Sequence, residues 1–91
     1  MTTVHRYDLQ IGRTALEIPM GAAVLSAQMR DHRLVLWMRV NLDWPTCTRH
    51  FQTFGTGEAL PDELLLAHIA TVQVPNGLTW HIFETSPGRG K

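Results

Sequence analysis

Between Val24 and Val40, apolar and polar residues alternate about one point, Asp31-His32. A two-residue turn there pairs Arg30 with Arg33, Met29 with Leu34 and Ala27 with Leu36, then Leu25 with Met38 and Ala23 with Val40. From Met29 and Leu34 onward that face is wholly apolar. The other face carries Gln28, Val35, Ser26, Trp37, Val24 and Arg39. Side chains alternate with period two, so a one-residue slip would mix the faces. The clean split predicts a β-hairpin in this register. Asp tolerates a left-handed backbone, whereas His suits the second turn position less well than Gly, so the turn type stays open.

A second hairpin is predicted around Pro75-Asn76-Gly77. A two-residue Asn-Gly turn would need an N–H on Pro75, which proline lacks. A three-residue loop fits better, with Pro75 and Asn76 in a type I turn and Gly77 as the left-handed bulge residue. Val74 then pairs with Leu78, Val72 with Trp80, Ala70 with Ile82 and His68 with Glu84. The opposite face holds Gln73 with Thr79, Thr71 with His81 and Ile69 with Phe83.

The remaining pattern is also β-rich. Strands are predicted at Val4–Leu9, Ala15–Ile18 and Thr46–Phe54, with breaks at Gly12, Pro19, Asn41–Pro45 and Gly55-Thr56-Gly57. Pro61 to Leu66 is the one helical candidate, with proline and acids at the start of a short turn. The expected fold is therefore all-β, a small sandwich or partly open barrel of about seven mainly antiparallel strands with a short helical turn near 61–66. Residues 1–85 form the single domain, and the basic, Gly- and Pro-containing stretch 86–91 is expected to be a disordered tail.

At 91 residues the chain buries roughly 64% of its unfolded surface, enough for a modest core. Eight basic and eight acidic residues cancel. Zero formal charge argues against non-specific nucleic-acid binding, which needs cations to neutralise phosphates. It also favours self-association, so a homo-oligomer is expected. The single cysteine, Cys47, allows no disulfide within the chain and no cysteine-based zinc site, and suits a reducing cytoplasm. The first residues lack the apolar run of a signal peptide, and nothing approaches the ~20 apolar residues of a membrane span.

Candidate chemistry is sparse. His5, His32, His50, His68 and His81 include no close ligand pair, so no metal and no cofactor are expected. Cys47 and His50 are three apart and point to opposite faces of a strand. Pairing Ser26 with His81 lacks a third residue to orient the base. His81 with Thr71, and His50 with Glu58, are the acid–base pairs an enzyme would have to use. Gly55-Thr56-Gly57 exposes backbone N–H groups near Arg49 and His50, but lacks the Lys-Ser/Thr of a phosphate loop.

The mixed hairpin faces carry the main functional lead. Trp37 with Arg39, Ser26 and Gln28 offers stacking beside hydrogen-bonding groups, and His81, Thr71, Thr79, Gln73 and Phe83 offer a second face. Aromatic stacking plus arginine is how proteins hold a base and a phosphate together. The ligand-binding set read from the chain is Trp37, Arg39, Arg49, His50, Thr56, Trp80 and His81. Trp44, in a turn beside Pro45, is read either as an exposed anchor or as a core residue.

Tyr7-x-Leu9, Pro19-x-Gly21-Ala22, Leu36-Trp37, Gly55-Thr56-Gly57, Pro61-Asp62 and Trp80-His81-x-Phe83 together resemble a family of small β-rich hypothetical proteins from phage and prophage genomes. That family often carries His after the Gly-Thr-Gly, where this chain has Glu58. The resemblance brings no activity. It implies a setting: a phage or prophage accessory product acting in the cytoplasm of a host bacterium.

In that setting the expected function is non-catalytic binding that interferes with host defence. One form sequesters a small nucleotide signal, a cyclic oligonucleotide or an ADP-ribose derivative, with tryptophan stacking the base and arginine the phosphate. The other docks the mixed face onto a host defence protein. A small phosphodiester hydrolase and a phage structural protein are the remaining expectations.

Overall fold

The computed structural model describes residues 1–61 and 65–86. Seven strands run β1 (Thr2–Leu9), β2 (Arg13–Pro19), β3 (Ala23–Arg30), β4 (Arg33–Asn41), β5 (Thr46–Gly55), β6 (Leu65–Gln73) and β7 (Thr79–Thr85). They form two antiparallel sheets, one in the order β1-β4-β3 and the other β2-β5-β7-β6. β3 approaches β6 along one edge and β1 approaches β2 at the other, so the molecule is a sandwich rather than a closed barrel. No helix occurs among the described residues. The helical turn expected over 61–66 falls largely on 62–64, outside the described residues, and Leu65 already belongs to β6. The tail from 87 onward also lies outside them.

The core lies between the sheets. Leu34, Leu36, Met38 and Val40 point inward from β4 and meet Ile18, Phe51, Val72 and Ile82 from the other sheet. The four from β4 occupy alternate positions, as period two requires, and each strand of the other sheet supplies one of the rest. The three-stranded sheet is thus centred on β4, whose inward face is the apolar run read from the sequence.

The hairpin turns match their chemistry. Asp31 and His32 are both left-handed, at φ 50° and 67°, which makes the β3–β4 connection a type I′ turn. Its twist suits the flanking strands, at a cost in strain at His32, which stands where glycine is favoured. In the β6–β7 loop, the Gly77 N–H donates to the Val74 carbonyl at 3.0 Å and Gly77 sits at φ 92°. The Val74 N–H donates to the Leu78 carbonyl, which closes the expected three-residue loop.

Beyond the turns both hairpins depart from a plain ladder. Ser26 pairs with Trp37 as predicted, but Val24, not Leu25, pairs with Met38, and the extra residue Leu25 forms a bulge. Ala70 pairs with Ile82 as predicted, but His68 pairs with Phe83 rather than Glu84, with a bulge at Ile69. Each bulge exchanges the faces beyond it. Val24 and Ile69 pack on the core, whereas Leu25 is 55% exposed. The predicted pairs Leu25–Met38, Ala23–Val40, Ile69–Phe83 and His68–Glu84 are therefore corrected, because the alternation shifts by one residue at each bulge.

Candidate functional site

The seven residues read as ligand-binding fall into three places. Trp37 and Arg39 lie on the outward face of the three-stranded sheet. His50, Thr56 and His81 lie on or beside the outward face of the four-stranded sheet. Arg49 and Trp80 point inward. The two mixed faces are thus separate surfaces on opposite sides of one chain, and Ser26 and His81, on different outward faces, do not meet.

On the three-stranded sheet, Trp37 sits on the central strand. Arg6 of β1 is its direct partner on one side and Ser26 of β3 on the other. Arg39 follows two residues along and stands opposite Val4. Trp37 is half-buried at the centre of this face, and Arg39 is exposed. Asp8 binds Arg33 at 3.2 Å and Arg6 at 3.5 Å. Asp8 and Gln28 are the cross-strand partners of Val35, which is 1% exposed although it faces outward. The indole therefore stands in a rim of guanidinium, hydroxyl and amide groups.

Apolar surface continues from this platform. Val4, Leu25, Leu42, Met20 and Trp44 are each between 44% and 58% exposed. Arg39 joins the two parts, because it also lines a cleft of about 410 Å³ with Met20 and Trp44 at the adjacent end of the sandwich. Trp44 is thus an exposed residue of a turn in which its N–H donates to the Asn41 carbonyl. Alternation gave no hint of Leu25, because only the bulge turns it outward.

On the four-stranded sheet, His81 Nε2 lies 2.8 Å from Thr56 Oγ1 and Nδ1 lies 3.1 Å from Thr71 Oγ1. Thr71 Oγ1 is in turn 3.0 Å from His68 Nε2. The result is a surface chain of alternating hydroxyl and imidazole groups, anchored by edge-to-face contacts of His68 with Phe83 and of Phe83 with Phe54. Two separated motifs, Gly55-Thr56-Gly57 and Trp80-His81, meet here because Gly55 pairs with Trp80. The chain's pattern pairs His81 with Thr71 and puts Thr56 in the same binding set, but it gives neither the Thr56–His81 contact nor the place of His68, which comes onto this face only through the bulge at Ile69.

The loop does not present a free cradle. Glu58 Oε1 accepts the Gly55 N–H at 2.9 Å, so the loop's own carboxylate occupies that donor. The alternative pairing of Glu58 with His50 is replaced by this contact. His50 lies on β5 opposite Ala15 and Thr85. Cys47 and His50 stay on opposite faces of β5, as expected. Among the described residues, no three His, Cys, Asp or Glu side chains come together closely enough to hold a metal ion.

Arg49 has a different role from the one expected. Its Nε and Nη2 donate to the two Glu84 carboxylate oxygens, each at 2.8 Å, and Nη1 donates to the Ala22 carbonyl. The hydrogen bonds to Glu84 raise its pKa and keep it charged, against the opposing effect of burial. The guanidinium also lies 5.7 Å from the Phe51 ring. With its donors engaged inside the sandwich, it ties β5, β7 and the segment before β3 together. Trp80 is partly buried and packed against the core.

The chain matches one family along almost its whole length, over residues 1–90. It belongs to the family described as Domain of unknown function (DUF7352). No curated protein and no solved structure matches it. Its assignment therefore rests on the site itself. Among the described residues, no helix is long and apolar enough to cross a membrane.

Proposed function

We propose that this member of the DUF7352 family is a non-catalytic binding protein whose working surface is the outward face of β1, β4 and β3. In this reading it is a phage or prophage accessory product that withholds a small nucleotide signal from the defence of its bacterial host. The observation that carries the reading is the position of Trp37, with Arg6 directly across and Arg39 beside it on one exposed face. Indole stacking holds a base and the guanidinium groups hold phosphate. Of the three tryptophans, only Trp37 has arginines as both a cross-strand and a same-face neighbour.

The face is a sheet surface, so one copy covers one side of a ligand. A second copy, apposed through Val4, Leu25 and the Met20–Trp44 end, would close over the other side. Exposed apolar surface of this kind is the usual mark of an interface. The homo-oligomer and the ligand site are therefore one proposal: two platforms facing each other with a nucleotide between them.

The same apolar surface supports a second reading, in which the partner is a host defence protein. Interface anchors are drawn from tryptophan and arginine, and this face supplies both. Native mass spectrometry separates the readings. The protein is sprayed alone and with a pool of cyclic oligonucleotides and ADP-ribose derivatives. The sponge predicts an oligomer retaining one nucleotide of unchanged mass. A chemically altered nucleotide would contradict the non-catalytic assignment, and no adduct would leave the protein partner as the occupant.

A further inference from the structure

At the far end of the sandwich from Trp44, three separate segments enclose a cleft of about 540 Å³. Ile11 comes from the β1–β2 corner, Met29, Asp31 and His32 from the β3–β4 hairpin, and Val74, Leu78 and Trp80 from the β6–β7 hairpin. That volume falls within the range of small-molecule sites. We infer that this cleft binds a small organic cation with an aromatic or branched apolar body.

Three observations point the same way. The walls are apolar and partly uncovered: Ile11 is 56% and Leu78 53% exposed, and both line the cleft with Trp80. Apolar surface and an indole provide the body of a ligand site. The second observation is charge. Asp31 is the only carboxylate among the described lining residues, and no lysine or arginine lines the cleft. Arg30 and Arg33 flank the turn but alternate onto the outward face, where Arg33 is engaged by Asp8.

The third is the turn itself. A type I′ turn most readily takes Asn-Gly or Asp-Gly, and Asp31 suits its first position, yet His32 stands at the glycine position with left-handed backbone at φ 67°. The strain at His32 places an imidazole beside the Asp31 carboxylate at the rim of the cleft rather than a featureless glycine. Observed strain of this sort is a pointer to function. The platform at Trp37 lies on a different surface, so the cleft is a second site, independent of the nucleotide reading.

The test uses phenethylammonium as the probe and 2-phenylethanol as its uncharged counterpart. Backbone amides of Asp31 and Leu78 and the indole N–H of Trp80 are followed by nuclear magnetic resonance in the full chain. Asp31→Asn serves as the variant, because Asn accepts left-handed backbone at least as well as Asp and keeps the turn. Saturable shifts confined to these groups are expected with the ammonium, while the Trp37 indole stays fixed. Affinity should fall at least about threefold for the alcohol, and likewise for Asp31→Asn. Absence of saturable shifts, shifts centred on Trp37, or equal affinity for ammonium and alcohol would each overturn the inference.

Discussion

Arg49 and Glu84 face each other across β5 and β7 through two parallel hydrogen bonds of 2.8 Å, between the two sheets. Their side chains retain only 21% and 18% of their exposure. Paired and largely desolvated, they stabilise each other; singly, either would be a buried charge without a partner.

Glu84→Gln should therefore destabilise the fold by about 2 kcal/mol, below the range for breaking a fully buried pair because some solvent reaches this one. Arg49→Lys should cost a similar amount, since an ammonium cannot make the forked contact. Urea unfolding followed by tryptophan fluorescence measures both. A change within about 0.5 kcal/mol would show the pair to be an ordinary surface contact.

The bulge at Leu25 makes neighbouring residues respond oppositely. Val24 packs on the core and Leu25 is exposed. Val24→Ala should cost about 1–2 kcal/mol by loss of packed methyl groups, whereas Leu25→Ala should stay within about 0.5 kcal/mol. Thermal unfolding of the two variants checks the order. The reverse order would restore the unbulged ladder.

Much of this fold was legible in the sequence, and the failures share a cause. The turn at Asp31-His32, the Gly77 bulge loop and the pairs from Met29–Leu34 to Ser26–Trp37 follow from alternation and turn chemistry. The register beyond Ser26 does not, because an inserted residue leaves composition unchanged and is visible only when the partner strand is known. Leu25 and His68 lie on the opposite faces from those plain alternation predicts, for that reason. Arg49 looks like a ligand contact in the sequence because its partner, Glu84, lies 35 positions away and plain alternation pairs Glu84 with His68. The Thr56–His81 contact shows the limit of motif reading: both motifs were visible, but their meeting depends on β5 and β7 pairing.

Strain in the β3–β4 turn gives a further prediction. His32 is left-handed without being glycine. His32→Gly should stabilise the hairpin by about 0.5–1 kcal/mol, the relief of side-chain strain exceeding the extra entropy of the unfolded glycine. Denaturant midpoints compare the variant with the parent chain. A loss of stability would mean that the imidazole makes contacts worth more than the strain.

Alkaline pH should weaken the fold through Tyr7. Burial against the core raises its phenol above the ordinary value of 10.0. The folded state thus holds the proton more tightly than the unfolded chain. Its contribution is fully present below pH 10.0 and is lost as pH rises through the raised folded value. Since the chain has a single tyrosine, tyrosinate absorbance reads this group alone. A midpoint above 10.0 is expected, and Tyr7→Phe should remove this part of the pH dependence.

Nucleotide binding at Trp37 is measured most directly by the retention of the Trp37→Ala/Arg39→Ala double variant, compared with the parent chain by equilibrium dialysis. Circular dichroism on the same samples establishes that the variant is folded, as expected for substitutions on an outward face. The parent chain should retain a cyclic oligonucleotide or ADP-ribose derivative intact, and the folded double variant should lose it. Unchanged retention by the double variant would contradict the assignment of the site to Trp37 and its arginines.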